Sequence, residues 1–129
     1  VERPQERRAF HVFLLYWLPV LLYLTVMIVL SAQPYLRPPF EFPQSDKLMH
    51  TLEYFGLGIL VARGLRATMR IHLPLVAALL AMSFGIVVGT GEEYLQSFIP
   101  GRVSSPFDLL ADTIGLMLAQ LVYLAFTRE

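Results

Sequence analysis

The sequence predicts an all-α fold, a four-helix transmembrane bundle with both termini on the cytoplasmic side, and three observations carry that prediction. Of 129 residues, 56% are hydrophobic and only 16% charged, with a mean hydropathy of +0.58, whereas soluble domains run at about 45–50% apolar and about 25% charged. Long stretches contain no charged residue, and the cations gather at alternate ends of those stretches. Ten Lys and Arg balance ten Asp and Glu, so no overall basic field draws nucleic acid. The apolar content excludes disorder. The absence of cysteine removes disulfides, thiolate zinc sites and cysteine nucleophiles together. The length fits one domain covering residues 1–129.

The first predicted span is 10–32. Ala9 through Leu36 is a run of 28 residues without a formal charge, longer at about 1.5 Å per residue than a hydrocarbon core of about 30 Å requires. Pro19 is expected to kink or weaken it. Arg7 and Arg8 precede the run as in a secretory signal, but the run is too long and no clean A-x-A site follows. The second span, 47–63, is short and carries His50 and Glu53. The third, 71–91, opens near His72 and Pro74; the fourth, 107–126, carries Asp108 and Asp112 in its first half. A soluble helix bundle would need a polar face along each helix, which the first and third spans lack. Residues 33–45 hold four prolines and read as extended or polyproline-like. Residues 63–70 read as a tight basic turn, and 97–106 contain a Pro-Gly turn signal.

Positive-inside logic orients the spans. Arg3, Arg7, Arg8, Arg63, Arg66, Arg70 and Arg128 fall on one side; Arg37, Lys47 and Arg102 fall on the other. The acids divide oppositely. Glu2, Glu6 and Glu129 are inside, while Glu41, Asp46, Glu53, Glu92, Glu93, Asp108 and Asp112 lie at or near the outer ends. An ionisable group at mid-membrane costs about 2.5–3.5 kcal/mol on insertion scales, so the acids inside spans need a reason.

Helical spacing gathers them. Asp46, His50 and Glu53 share one stripe of the second helix; Lys47, His50 and Tyr54 share the next. Glu92, Glu93 and Gln96 lie within one turn, Asp108 and Asp112 are four apart, and the intervening loop offers Arg102, Ser104 and Ser105. One polar pocket at the outer face is the economical inference. Plainer roles stand beside it. Ser45 or Asp46 would cap the second helix, and Ser105-Pro106-Phe107-Asp108 has the form of a capping box. One of Glu92 and Glu93 would be solvated at a span end. Arg102 would pair with Asp108 and Lys47 with Glu92. His11 and His72 read as interfacial. Glu53 and Asp112 resist such readings, because each lies a turn or more inside its span. Gly56, Gly58, Gly85, Gly89 and Gly91 suit close helix packing, with Gly85 and Gly89 spaced as G-x-x-x-G.

The polar residues also form a string. Asp46-Lys47-x-x-His50-x-x-x-Tyr54-Phe55-x-Leu57 resembles the first motif of the VanZ-like family. Gly89-x-x-Glu92-x-x-x-Gln96-x-Phe98-x-Pro100-x-Arg102-x-x-Ser105-x-x-Asp108-x-x-x-Asp112-x-x-Gly115 resembles its second. The likeness covers about residues 46–126. It implies a small multi-pass protein of the bacterial cytoplasmic membrane with an envelope-linked role, the family being named for a protein associated with teicoplanin resistance. It supplies no reaction. The family usually carries Asn where this chain has Asp112, so charge at that point differs here.

The expected site is a binding pocket of Asp46, Lys47, His50, Glu53, Tyr54, Glu92, Gln96, Arg102, Ser105, Asp108 and Asp112. Its expected partners are the lipid bilayer and a lipid-linked cell-wall precursor or lipoglycopeptide. The acidic excess favours an amine, hydroxyls or a cation over a bare phosphate. The alternative is a metal-assisted membrane hydrolase or transferase acting on a lipid-linked envelope substrate. His50, Glu53, Glu92 and Asp112 would then hold a divalent ion that activates water. A proton-coupled channel ranks last, because the inner half of every span is apolar.

Overall fold

A computed structural model describes residues 3–37, 39–69 and 72–127. Glu2, Arg70, Arg128 and Glu129 of the charge pattern, and Ile71 at the expected start of the third span, lie outside these. The first apolar run forms one helix, α1 (Pro4–Ser31). Pro19 has no N–H to donate, and the helix absorbs the defect just upstream. Phe13–Trp17 is π-helical, and the Leu18 N–H reaches the carbonyl of Phe13, five residues back. The expected kink is therefore a π turn.

Three further helices follow: α2 (Ser45–Met69), α3 (Pro74–Gln96) and α4 (Pro106–Phe126). No strand occurs among the described residues. The basic turn expected at 63–70 is instead the last turns of α2, which runs on to Met69. Gly64, the one turn-forming residue inside it, is a packing site: a Cβ there would come within 3.2 Å of the Trp17 ring. The break falls before Pro74, where the residue preceding proline leaves the α region; Leu73 is extended, with φ −98° and ψ 104°. At its far end α3 does not stop at Gly91 but carries Glu92, Glu93 and Gln96 as helical residues. Nor is the proline-rich connection extended. Its described residues fold into turns and bends, reversed by left-handed backbone at Tyr35 (φ 56°) and Gln44 (φ 64°). The Pro-Gly signal at 100–101 is a true turn, with Gly101 at φ 77°.

Among the described residues, α1, α3 and α4 are long and apolar enough to cross a membrane. The more charged α2 sits centrally. It packs most extensively on α4 and also touches α3 and α1. A helix shielded by its neighbours can carry polar groups that a lipid-facing helix cannot. Large apolar side chains point outward on the other three, among them Leu22 and Val26, Leu79 and Val87, Met117 and Leu121. That surface suits lipid. The interior combines Val20, Met27, Tyr54, Leu57, Val61 and Leu116 with small residues. Gly85 and Gly89 are both buried against α4, the first under Leu116 and the second beside Asp112. Gly115 brings α4 so close to α2 that a Cβ would strike the Thr51 carbonyl oxygen. Gly91 faces open space and packs on nothing.

Candidate functional site

One end of the bundle carries a ladder of polar pairs between α2 and its neighbours. Lys47, His50 and Tyr54 follow one stripe of α2, as their spacing predicts, and each meets an acid. The Lys47 ammonium donates to Asp108 on α4 and, at 2.7 Å, to Asp46. His50 Nδ1 lies 2.8 Å from Asp112 Oδ1. The Tyr54 hydroxyl donates to Glu92 Oε2 at 2.5 Å. A step of three residues on α2 thus meets a step of four on α4, and the next step of four on α2 reaches Glu92 on α3. Thr51, between Lys47 and Tyr54, ties the same interface by donating to the carbonyls of Lys47 and Ala111.

A second group surrounds the loop between α3 and α4. Glu93 Oε2 accepts the Ser104 hydroxyl and the Ser105 backbone N–H, each at 2.9 Å. Ser105 caps α4, its hydroxyl accepting the Phe107 N–H. The capping box is completed differently from the sequence expectation. The acid that receives the cap residue's N–H is Glu93 from α3, which leaves Asp108 free for Lys47. Gln96 donates to the Ser31 hydroxyl at 2.7 Å. The Arg102 guanidinium donates to the carbonyls of Leu30 and Ser31, satisfying the exposed end of α1 as a cation at a helix C-terminus does.

Four expectations are corrected by these contacts. Lys47 pairs with Asp108 and Asp46, not with Glu92. Arg102 binds backbone carbonyls, not Asp108. Neither Glu92 nor Glu93 is solvated, since both are buried. Neither Ser45 nor Asp46 caps α2: both are helical, and the Leu48 N–H goes to the Gln44 carbonyl. For Lys47 and the two glutamates the reason is rotational. A sequence fixes which residues share a stripe of one helix, but not which stripe of its neighbour faces it.

Between α1, the connection after it, α2 and α3 lies a cavity of about 340 Å³. Asp46, His50, Glu53, Glu92, Gln96 and Arg102 line it, with Ser31 and Arg37, and its apolar wall includes Met27, Leu30, Leu36 and Met49. Asp46, His50 and Glu53 are the stripe read from the sequence. Of the remaining expected residues, Lys47, Tyr54, Ser105, Asp108 and Asp112 stand behind the wall in the two hydrogen-bonded groups. Glu53 contributes its backbone carbonyl to the Tyr23 hydroxyl at 2.8 Å. Its carboxylate makes no hydrogen bond or ion pair among the described residues and lines the cavity.

The four residues expected to hold a metal do not converge as a set. Donor atoms of His50, Glu93 and Asp112 lie within 4.8 Å of one another, while Glu92 is committed to Tyr54 and Glu53 faces the cavity. Sequence reasoning placed Glu93 near the site without giving it a role; its signal was its adjacency to Glu92, which puts the two on different faces of α3. Ser31 was missed altogether, as a lone serine at the end of an apolar helix.

The sequence profile of the VanZ/LLP1 family matches residues 10–127. The chain is also similar to an uncharacterized protein of Schizosaccharomyces pombe, 27% identical over 110 residues. That match covers 85% of this chain and 65% of the relative, so the chain spans less than two thirds of the relative's length. No solved structure matches.

Proposed function

The chain belongs to the VanZ/LLP1 family, and we propose from its cavity that it is a single-domain, four-span membrane protein that binds an amphipathic cell-envelope molecule at the outer membrane face. The observation that carries the reading is the two-sided lining of that cavity. Met27, Leu30, Leu36 and Met49 offer an apolar wall to a chain, while Glu53, Asp46, Glu92 and Gln96 offer acceptors to a head group. Glu53 matters most, because its carboxylate is uncommitted. An amine or hydroxyl on the head group supplies the donor it lacks.

Volume chooses between the two kinds of envelope molecule. Drug-sized ligands occupy pockets of about 300–1,000 Å³. At about 340 Å³, the cavity suits one head-group fragment, with the rest of the molecule outside, better than a whole lipoglycopeptide. We therefore favour a lipid-linked cell-wall precursor, its tail between helices and an amine- or hydroxyl-bearing part of its head group against Glu53. In a bacterial cytoplasmic membrane, such binding would link the protein to teicoplanin-type resistance or to envelope homeostasis.

The test is binding of a polyprenyl-linked muropeptide, and separately of teicoplanin, to the full chain in nanodiscs. Saturable precursor binding is expected, weakened at least tenfold in Glu53→Gln at unchanged thermal stability. Absence of saturable binding to either molecule overturns the reading. Asp112→Asn serves as the structural comparison, because it alters the hydrogen-bonded group behind the wall.

A further inference from the structure

Two buried carboxylates behind the cavity wall are each held by one oxygen and left bare at the other. Glu93 accepts Ser104 and Ser105 through Oε2, and its Oε1 is buried without a hydrogen-bond partner among the described residues. Asp112 meets His50 through Oδ1, and its Oδ2 is likewise buried and unpartnered among the described residues. Asp112 is 1% exposed and Glu93 9%. A buried carboxylate oxygen without a donor is costly, and two in one cluster compound the cost.

The nearby cations do not relieve it. Lys47 is engaged by Asp46 and Asp108, and Arg102 is engaged by the carbonyls at the end of α1. His50 is the one basic side chain bonded to either carboxylate among the described residues. Its ring, Glu93 and Asp112 each bring a donor atom within 4.8 Å of the others. The hydrogen bonds from Ser104 and Ser105 fix Glu93 in the way that outer-shell partners fix a metal ligand.

We propose that His50, Glu93 and Asp112 form a binding site for one divalent transition-metal ion. An imidazole with two carboxylates is a mixed nitrogen and oxygen donor set. It suits Zn²⁺ or Mn²⁺ better than Mg²⁺ or Ca²⁺, which take oxygen ligands. Three protein ligands leave coordination positions for other donors. Because His50 also lines the cavity, the ion would adjoin whatever occupies it. The site rests on buried oxygens and not on the identity of the cavity's ligand, so it stands or falls separately from the amphiphile reading.

The full chain, purified in detergent and stripped of metal, is titrated with ZnCl₂ and MnCl₂, with MgCl₂ and CaCl₂ for comparison. One equivalent of Zn²⁺ or Mn²⁺ is expected to bind, with a rise in Tm and at least tenfold weaker binding of Mg²⁺ and Ca²⁺. Glu93→Gln and Asp112→Asn are each expected to weaken binding at least tenfold, and Glu41→Gln, at an exposed acid in the connection after α1, to leave it unchanged. Since either site variant could fail to fold, pulsed EPR of Mn²⁺ in the unaltered protein supplies a second measurement, a nitrogen coupling from one imidazole. The proposal is overturned by the absence of stoichiometric binding, by variants that fold and bind as tightly as the parent, or by the absence of that coupling.

Discussion

Single side chains in this molecule are decided by what lies within one atom's reach. Gly115 and Gly91 make the contrast. A methyl group at Gly115 would meet the backbone of α2 at Thr51 and Phe55, which cannot move aside without separating α2 from α4. At Gly91 it would meet nothing within 4 Å. Gly115→Ala is therefore expected to destabilise the protein by about 1–3 kcal/mol, the usual cost of overpacking. Gly91→Ala should be neutral or stabilising by up to about 1 kcal/mol, because alanine is the better helix former. Thermal unfolding in detergent compares the two, and equal melting temperatures would contradict the packing argument. The sequence marks Gly91 as a packing residue and Gly115 only as the end of a motif, because the distinction depends on which neighbour each face meets. The same gap separates Lys47 as expected, beside Glu92, from Lys47 as found, beside Asp108. The acids themselves were legible, since a charge inside an apolar run is conspicuous. Their pairings needed the rotation of α2 against α4.

At the level of helices, the punctuation was partly legible. Pro19 announced a disturbance in α1, and Pro74 and Pro106 stand at the first positions of α3 and α4, where proline is favoured. The basic stretch 63–70 misled, because arginine is a good helix former and its charge marks a membrane side rather than a turn. Trp17 reports on the π turn in α1. Its indole N–H donates to Thr68 Oγ1 at 2.5 Å and its ring lies against Gly64, so the π turn sets the docking of α1 on the far end of α2. In Pro19→Ala the restored N–H can bond four residues back. The helix would then regain its α register, and the residues before the turn would rotate by about 100°. Trp17 is the sole tryptophan, so its emission reads this directly. A shift in its maximum together with weaker near-ultraviolet dichroism is expected. An unchanged spectrum would mean that the contact with Thr68 and Gly64 holds the π turn without help from the proline.

Across the whole molecule, the charge pattern and the packing make one joint prediction about topology. Three helices qualify as membrane spans by length and composition, yet α2 runs alongside them from end to end. Lys47 meets Asp108 at one end, the Gly58 carbonyl meets Gln120 in the middle, and Thr68 meets Trp17 at the other. At about 1.5 Å per residue its 25 residues cover about 37 Å, enough to cross a core of about 30 Å. A helix tied over that length to spanning neighbours is predicted to cross with them, which would give an even number of crossings and put the two termini on one side. The arginines near the N-terminus and along the end of α2 predict that this side is the cytoplasm, and on that prediction the cavity opens outward. The chain has no cysteine, so single replacements test this without background. On intact cells a membrane-impermeant maleimide should label Phe42→Cys in the connection after α1. Gln5→Cys and Thr127→Cys should react only after permeabilisation. Labelling of all three in the reverse pattern would invert the orientation and place the cavity inside. Opposite behaviour of residues 5 and 127 would mean three crossings, and α2 would have to leave the bilayer that its partners traverse.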